Sequence, residues 1–103
     1  MKNFQKAVGE WHRLTFDSDE TWARRVAKKT LEEAAELYCE TATPNTWHDQ
    51  GGPIAKECAD VAITVLALMD LLDLDLGEAI WDRLRLLRHR TNQPARDEAR
   101  GIT

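Results

Sequence analysis

An all-α fold follows from three features of the 103-residue sequence. Apolar residues recur at helical spacing in four segments, turn-forming residues concentrate between those segments, and nowhere does the apolar/polar alternation of a strand appear. A chain of this length makes one domain whose apolar surface is hard to cover without help. The expectation is therefore a four-helix bundle in a single domain over residues 1–103, completed by self-association, with a core of about 4–90 and a polar tail at 91–103 that frays or joins an intersubunit contact.

Phe4, Ala7, Val8 and Trp11 stand at i, i+3, i+4 and i+7, which places one apolar stripe on a first helix ending near Leu14. Asp17 and Glu20 have capping-box spacing, and Asp19 adds negative charge where first-turn N–H groups favour it, so a second helix is expected to start there. It runs through Trp22, Val26, Ala34, Leu37 and Tyr38 to about Ala42, because no Gly or Pro intervenes before Thr43-Pro44. The stretch TPNTWHDQGG, residues 43–52, reads as a loop carrying Trp47. Pro53 suits the first position of a third helix reaching about Leu72. Its CADVAITVLALMDLL run is apolar on nearly every side, as expected of a central helix shared with a second subunit. Asp75 and Glu78 repeat the capping spacing, Leu76, Ile80, Leu84 and Leu87 give a fourth helix its stripe, and Thr91-Asn92-Gln93-Pro94 stops it.

Composition excludes several roles. A formal charge of −4 lacks the basic footprint of a protein that grips nucleic-acid backbone. The apolar run 61–69 is about half of the ~20 residues a bilayer span needs, and Glu57, Asp60 and Asp70 bracket it, so no membrane partner is expected. Cys39 and Cys58 lack CxxC spacing, and the amphipathic N-terminus lacks a signal peptide's apolar run. Free thiols in a reducing cytoplasm are the expectation.

The chemistry concentrates in five carboxylates, Glu32, Glu33, Glu36, Glu57 and Asp60. Glu33 and Glu36 on the second helix, and Glu57 and Asp60 on the third, are each spaced i, i+3, so each pair projects from one helix face. Acidic clusters on helices are commonly solvated faces. Glu57 and Asp60, however, lead directly into the most apolar part of the chain, where unpaired charge is costly. Two facing pairs would crowd anionic oxygens enough to raise their pKa values unless cations neutralise them, and an all-oxygen set suits Mg²⁺ or Mn²⁺. Lys28 and Lys29 precede Glu32 and Glu33 by one turn, while Arg83 and Arg90 share the apolar stripe of the fourth helix. All four can neutralise phosphate oxygens, although simple ion pairing also accounts for the lysines. Thr64 and Ala67 continue the Glu57/Asp60 face as candidate pocket residues. Trp47 or Trp11 can stack on a purine, whereas Trp11, Trp22 and Trp81 also read as core or interface residues. His12, His48 and His89 share no metal-ligand spacing and read as surface or packing residues.

The order Glu32-Glu33-x-x-Glu36, a loop, then Glu57-x-x-Asp60 opening an apolar helix resembles the gapped signature of the MazG-like all-α NTP pyrophosphatases. Within them GEWHRLTF resembles the amino-terminal HEWAxATF string of the dATP/dGTP diphosphohydrolase type, and TLEEAAEL and ECADVAITVL resemble its two acidic helices. The likeness covers about residues 4–90, weakest at the 43–52 loop. It implies a MazG-like bundle that dimerises or tetramerises and cleaves a (deoxy)nucleoside triphosphate, dATP or dGTP, between the α- and β-phosphates. It implies two or more Mg²⁺ or Mn²⁺ ions on Glu33, Glu36, Glu57 and Asp60, with Glu32 orienting or deprotonating the attacking water. Substrate contacts are expected from Lys29, Thr64, Arg83, Arg90 and Trp47, in the cytoplasm, or the host cytoplasm for a phage-encoded member. The sequence departs from its relatives late in the fourth helix, where Lys, Asn and Arg are met by Arg83, Leu87 and Arg90.

Three rivals remain in view. A ferritin-like di-iron bundle wants Glu-x-x-His, but Glu36 is followed at i+3 by Cys39 and Glu57 by Asp60. A non-catalytic helical adaptor accounts for the apolar third helix but not for the paired acids. Within the superfamily, dUTP and phosphoribosyl-ATP are alternative substrates.

Overall fold

Helix formation in this chain is punctuated by turn residues, and the computed structural model, which describes residues 1–91 and side chains through His89, places its four α-helices accordingly. These are α1 (Lys2–Phe16), α2 (Ala23–Glu40), α3 (Pro53–Leu71) and α4 (Leu76–Thr91), with short 3₁₀ turns at Glu20–Trp22 and Pro44–Thr46 and no strand among the described residues. The expected polar tail, the helix stop after Thr91 and the side chain of Arg90 lie outside the described residues.

The junction between α1 and α2 differs from the capping-box reading. Asp17 ends α1 rather than starting α2: it adopts the left-handed conformation (φ 52°), and its N–H donates to Arg13 O. Asp19 is the cap, accepting from Thr21 N at 2.9 Å, and it caps a 3₁₀ turn that precedes α2. The same acidic residues suit both roles, because Asp tolerates the left-handed region as well as it caps helices. At the other end of the molecule the capping reading holds, with Glu78 N donating to Asp75 Oδ1 at 3.0 Å. Asp73 (φ 54°) closes α3, with Leu74 N bonded to Met69 O at 2.9 Å and Asp73 N to Asp70 O at 3.1 Å, the paired bonds of a Schellman motif.

Val26 of α2 shares one cluster with Ala67 and Leu71 of α3, while Glu33 and Glu36 meet Glu57 at the opposite end, so the two helices run antiparallel. Helix α1 lies across α3, adding Val8 to the core. Gly9 permits this approach: a Cβ there would overlap the Asp70 carboxylate, which pairs with Arg13. Buried Gln5 ties α1 to the α3–α4 turn, donating to Leu74 O and accepting from Leu76 N.

Helix α4 contacts the body chiefly through α1 and leaves its stripe uncovered. Ile80, Trp81, Leu84, Leu86 and Leu87 are all exposed, and the radius of gyration is 16.9 Å against roughly 13 Å for a compact domain of this size. The buried apolar core is correspondingly small: Val26, Leu66, Ala67 and Leu71. Truncation inside it should be felt strongly. Leu71→Ala is expected to lower the unfolding free energy by about 2–4 kcal/mol through lost burial plus a cavity, a large share of the roughly 5–15 kcal/mol typical of a domain. Denaturant titration of both proteins measures it, and a change below about 1 kcal/mol would show that the Leu71 site collapses freely. No helix among the described residues is long and apolar enough to cross a membrane.

Candidate functional site

The antiparallel pairing of α2 and α3 converts two local spacings into one cluster. Glu33, Glu36 and Glu57 each offer a carboxylate oxygen, and these oxygens lie within 4.8 Å of one another. Glu33 and Glu57 are both 8 % exposed and are the only buried carboxylates among the described residues, whereas Glu36 sits at the solvent edge. Glu57 Oε2 is buried without any hydrogen-bond partner. An orphaned anionic oxygen facing two further carboxylates is costly. All-oxygen donors at this separation fit a hard divalent cation, which would supply the missing partner and offset the repulsion.

The crowding leaves its mark on Glu36, whose pKa is raised by its hydrogen bond and charge contact with Glu33, and further by Glu57. Only the ionised carboxylate ligates, so protons and metal compete for it. If the cluster holds a divalent ion, its affinity should fall as pH drops, beginning above the range where an ordinary Glu titrates. Mn²⁺ titrations between about pH 5 and 7 test this, and an affinity that stays flat across that window removes Glu36 from the ligand set.

Two lysines neutralise the rim. Lys29 Nζ lies 3.1 Å from Glu33 and 3.7 Å from Glu32, and its pKa is raised by the bond to Glu33. Lys56 Nζ lies 3.3 Å from Glu57 and 3.4 Å from Asp60, and its pKa is raised for the same reason, Glu57 acting first. Asp60 is thus one turn from Glu57 on α3, partly exposed, and outside the tight triad.

Beside the acids a cavity of about 740 Å³ opens between α1, α2 and α3. One end is charged, with Glu32, Glu33, Asp60, Lys28 and Lys29; the other is aromatic, with Trp11, His12, Phe16 and Trp22, the Arg25 guanidinium stacking on Trp22 at 4.4 Å. Thr64 and Ala67 line it as the helical face predicts, although the Thr64 hydroxyl already donates to Val61 O at 2.7 Å. No family model, curated protein or solved structure matches the chain. The functional reading therefore rests on this geometry and on the spacing of the acids.

Of the sequence-derived candidates, Glu32, Glu33, Asp60, Lys29 and Thr64 line the cavity, and Glu36 and Glu57 cluster with Glu33 without lining it. Trp47 does not: its Nε1 donates to Thr41 O at 3.2 Å, laying the half-exposed ring against the end of α2. Arg83 is exposed on α4 rather than leaning into the body, because α4 does not lie along α2 or α3. Trp11 and Trp81 are half-exposed rather than core. His12, which the sequence presents as a surface or packing residue, lines the cavity together with Phe16 and Arg25, neither of them a sequence-derived candidate. The i, i+4 spacing of His12 and Phe16 places them on one face beside Trp11, and that was the available signal.

Proposed function

We propose that this chain is a metal-dependent nucleoside triphosphate pyrophosphohydrolase of the MazG-like all-α type. It splits a (deoxy)nucleoside triphosphate, dATP or dGTP by the sequence likeness, into the monophosphate and pyrophosphate. The observation that carries this reading is the buried, unpartnered Glu57 Oε2 beside Glu33 and Glu36, at the edge of a cavity sized for a nucleotide.

Glu33, Glu36 and Glu57 would hold Mg²⁺ or Mn²⁺, with Asp60 available from the next turn of α3. Bound there, such ions neutralise phosphate charge and make water more acidic. Phosphoanhydride hydrolysis asks little covalent chemistry of the protein; it asks for alignment and charge. Lys28 and Lys29 offer cations to the phosphate chain from one cavity wall. Glu32 lines the same cavity with its side chain half exposed, outside the triad, where it can accept a proton from water without ligating.

The test is incubation of the purified chain and Mn²⁺ with each ribo- and deoxynucleoside triphosphate, with separation of the products. Monophosphate plus pyrophosphate is expected for at least one purine substrate; release of orthophosphate, or of nothing, overturns the reading.

The uncovered stripe of α4 favours a homodimer or homotetramer alongside this activity, and also a second reading as a non-catalytic oligomerisation module. The two part in a thermal-shift titration. An enzyme that binds Mn²⁺ gains about 2.7 kcal/mol at a hundredfold excess over Kd, whereas a module without a metal site melts at one temperature throughout.

A further inference from the structure

The aromatic end of the cavity contains a buried histidine that the acidic end does not use. His12 is 8 % exposed and lies at the centre of a ring cluster, with Phe16 at 4.8 Å and Trp11 and Trp22 each at 6.0 Å between centroids. Its Nδ1 is 2.7 Å from the hydroxyl of buried Ser18, which the left-handed turn at Asp17 brings back toward α1. Ser18 thus engages one ring nitrogen. No described group bonds Nε2, and His12 lines the cavity. Burial, reinforced by neighbouring Arg13, lowers the His12 pKa, so the ring is neutral near pH 7, with one nitrogen donating and the other accepting.

On the nucleotide reading, the ligand's flat apolar end meets the rings and its anionic end meets the charged part, where a cation held by the acids would offset Glu32, Glu33 and Asp60. Half-exposed Trp11 and Phe16 offer ring faces, while Lys28 and Lys29 stand at the charged end. Stacking on such faces does not discriminate between bases, because every base has a π-face. Discrimination needs a fixed hydrogen-bonding atom. We propose that His12 Nε2 reads the polar edge of the nucleotide base seated among Trp11, Phe16 and Trp22, and that Ser18 is the positioning residue that fixes the ring and its tautomer. This assignment rests on the nucleotide reading of the acidic end.

The experiment uses quenching of intrinsic tryptophan fluorescence by the four deoxynucleoside monophosphates, so that binding is read without turnover. Wild-type protein is expected to separate the best base from the worst by about tenfold in Kd, the scale of one hydrogen bond. His12→Phe keeps the ring packing, so quenching persists while the preference collapses to within about threefold. Ser18→Ala, which leaves His12 in place, narrows the preference to an intermediate value. Melting curves of both variants verify folding, and if His12→Phe melts, Ser18→Ala alone decides. An unchanged preference in a folded variant, or no quenching of the wild type by any nucleotide, overturns the proposal. Turnover of triphosphates with Mn²⁺ is measured in parallel. Hydrolysis with unchanged preference removes only the role of His12, whereas His12-dependent quenching without hydrolysis removes only the catalytic reading.

Discussion

Glu57→Gln is expected to abolish stabilisation of the fold by Mn²⁺ and to reduce turnover by about a hundredfold or more, while the metal-free protein melts at or above the wild-type temperature. The two halves of this result have one cause. Glu57 is buried against Glu33 and Glu36, and its Oε2 bonds nothing in the protein. Without metal its charge repels Glu33 and Glu36, as the raised pKa of Glu36 records, and the exposed Lys56 ammonium 3.3 Å from the other oxygen offsets this only in part. An isosteric amide relieves that repulsion and fills the same space, so the metal-free protein does not suffer. On the proposed metal reading the same change removes an anionic ligand that the other two acids would not replace. Asp60→Asn serves as a comparison and should cost less, since Asp60 stands outside the triad and is partly exposed. Thermal melts with and without Mn²⁺, followed by product assays, give all the quantities. A Glu57→Gln protein that still gains full stability from Mn²⁺ would show that the orphaned oxygen is not a ligand.

Glu32→Gln should behave differently, keeping metal and nucleotide affinity but losing about 10²–10⁴ in kcat, the usual contribution of a positioned general base. The geometry sets this contrast. Glu32 lies one residue from the proposed ligand Glu33, hence about 100° round α2, and its carboxylate is half exposed at 3.7 Å from Lys29 Nζ. It faces the cavity from outside the triad. An amide there retains size and polarity but cannot take a proton. The decisive pattern is a fall in kcat with KM and Mn²⁺ affinity each within about threefold of wild type. Retained kcat would reduce Glu32 to a counterion of Lys29.

Local rules carried the reading of the chain a long way. The i, i+3 spacings of Glu33/Glu36 and Glu57/Asp60 and the Asp75/Glu78 cap all operate within one or two turns, where spacing alone fixes geometry. The failures share the opposite character. The Asp17-x-x-Glu20 pattern fits a helix start, yet Asp17 ends α1, since a short acidic side chain satisfies either junction and the 3₁₀ turn between them leaves no periodic trace. The stripe on the fourth helix is real, but periodicity tells which face is apolar and not what covers it; Ile80, Leu84 and Leu87 remain exposed. His12 looked unremarkable because its burial comes from Phe16, Trp22 and Ser18, residues that a turn gathers around it.

The sequence by itself therefore determined the helices, their approximate limits and the pairing of acids along each one, because these depend on backbone hydrogen bonding and side-chain period within single elements. The tertiary structure alone decided that Glu33 and Glu36 meet Glu57, that one acid oxygen is buried without a partner, and that His12 closes the aromatic end of a cavity. Those outcomes depend on the antiparallel register of α2 on α3 and the crossing of α1. That register is set by how Val8, Val26, Ala67 and Leu71 pack together, a condition shared among three helices and written in none of them separately.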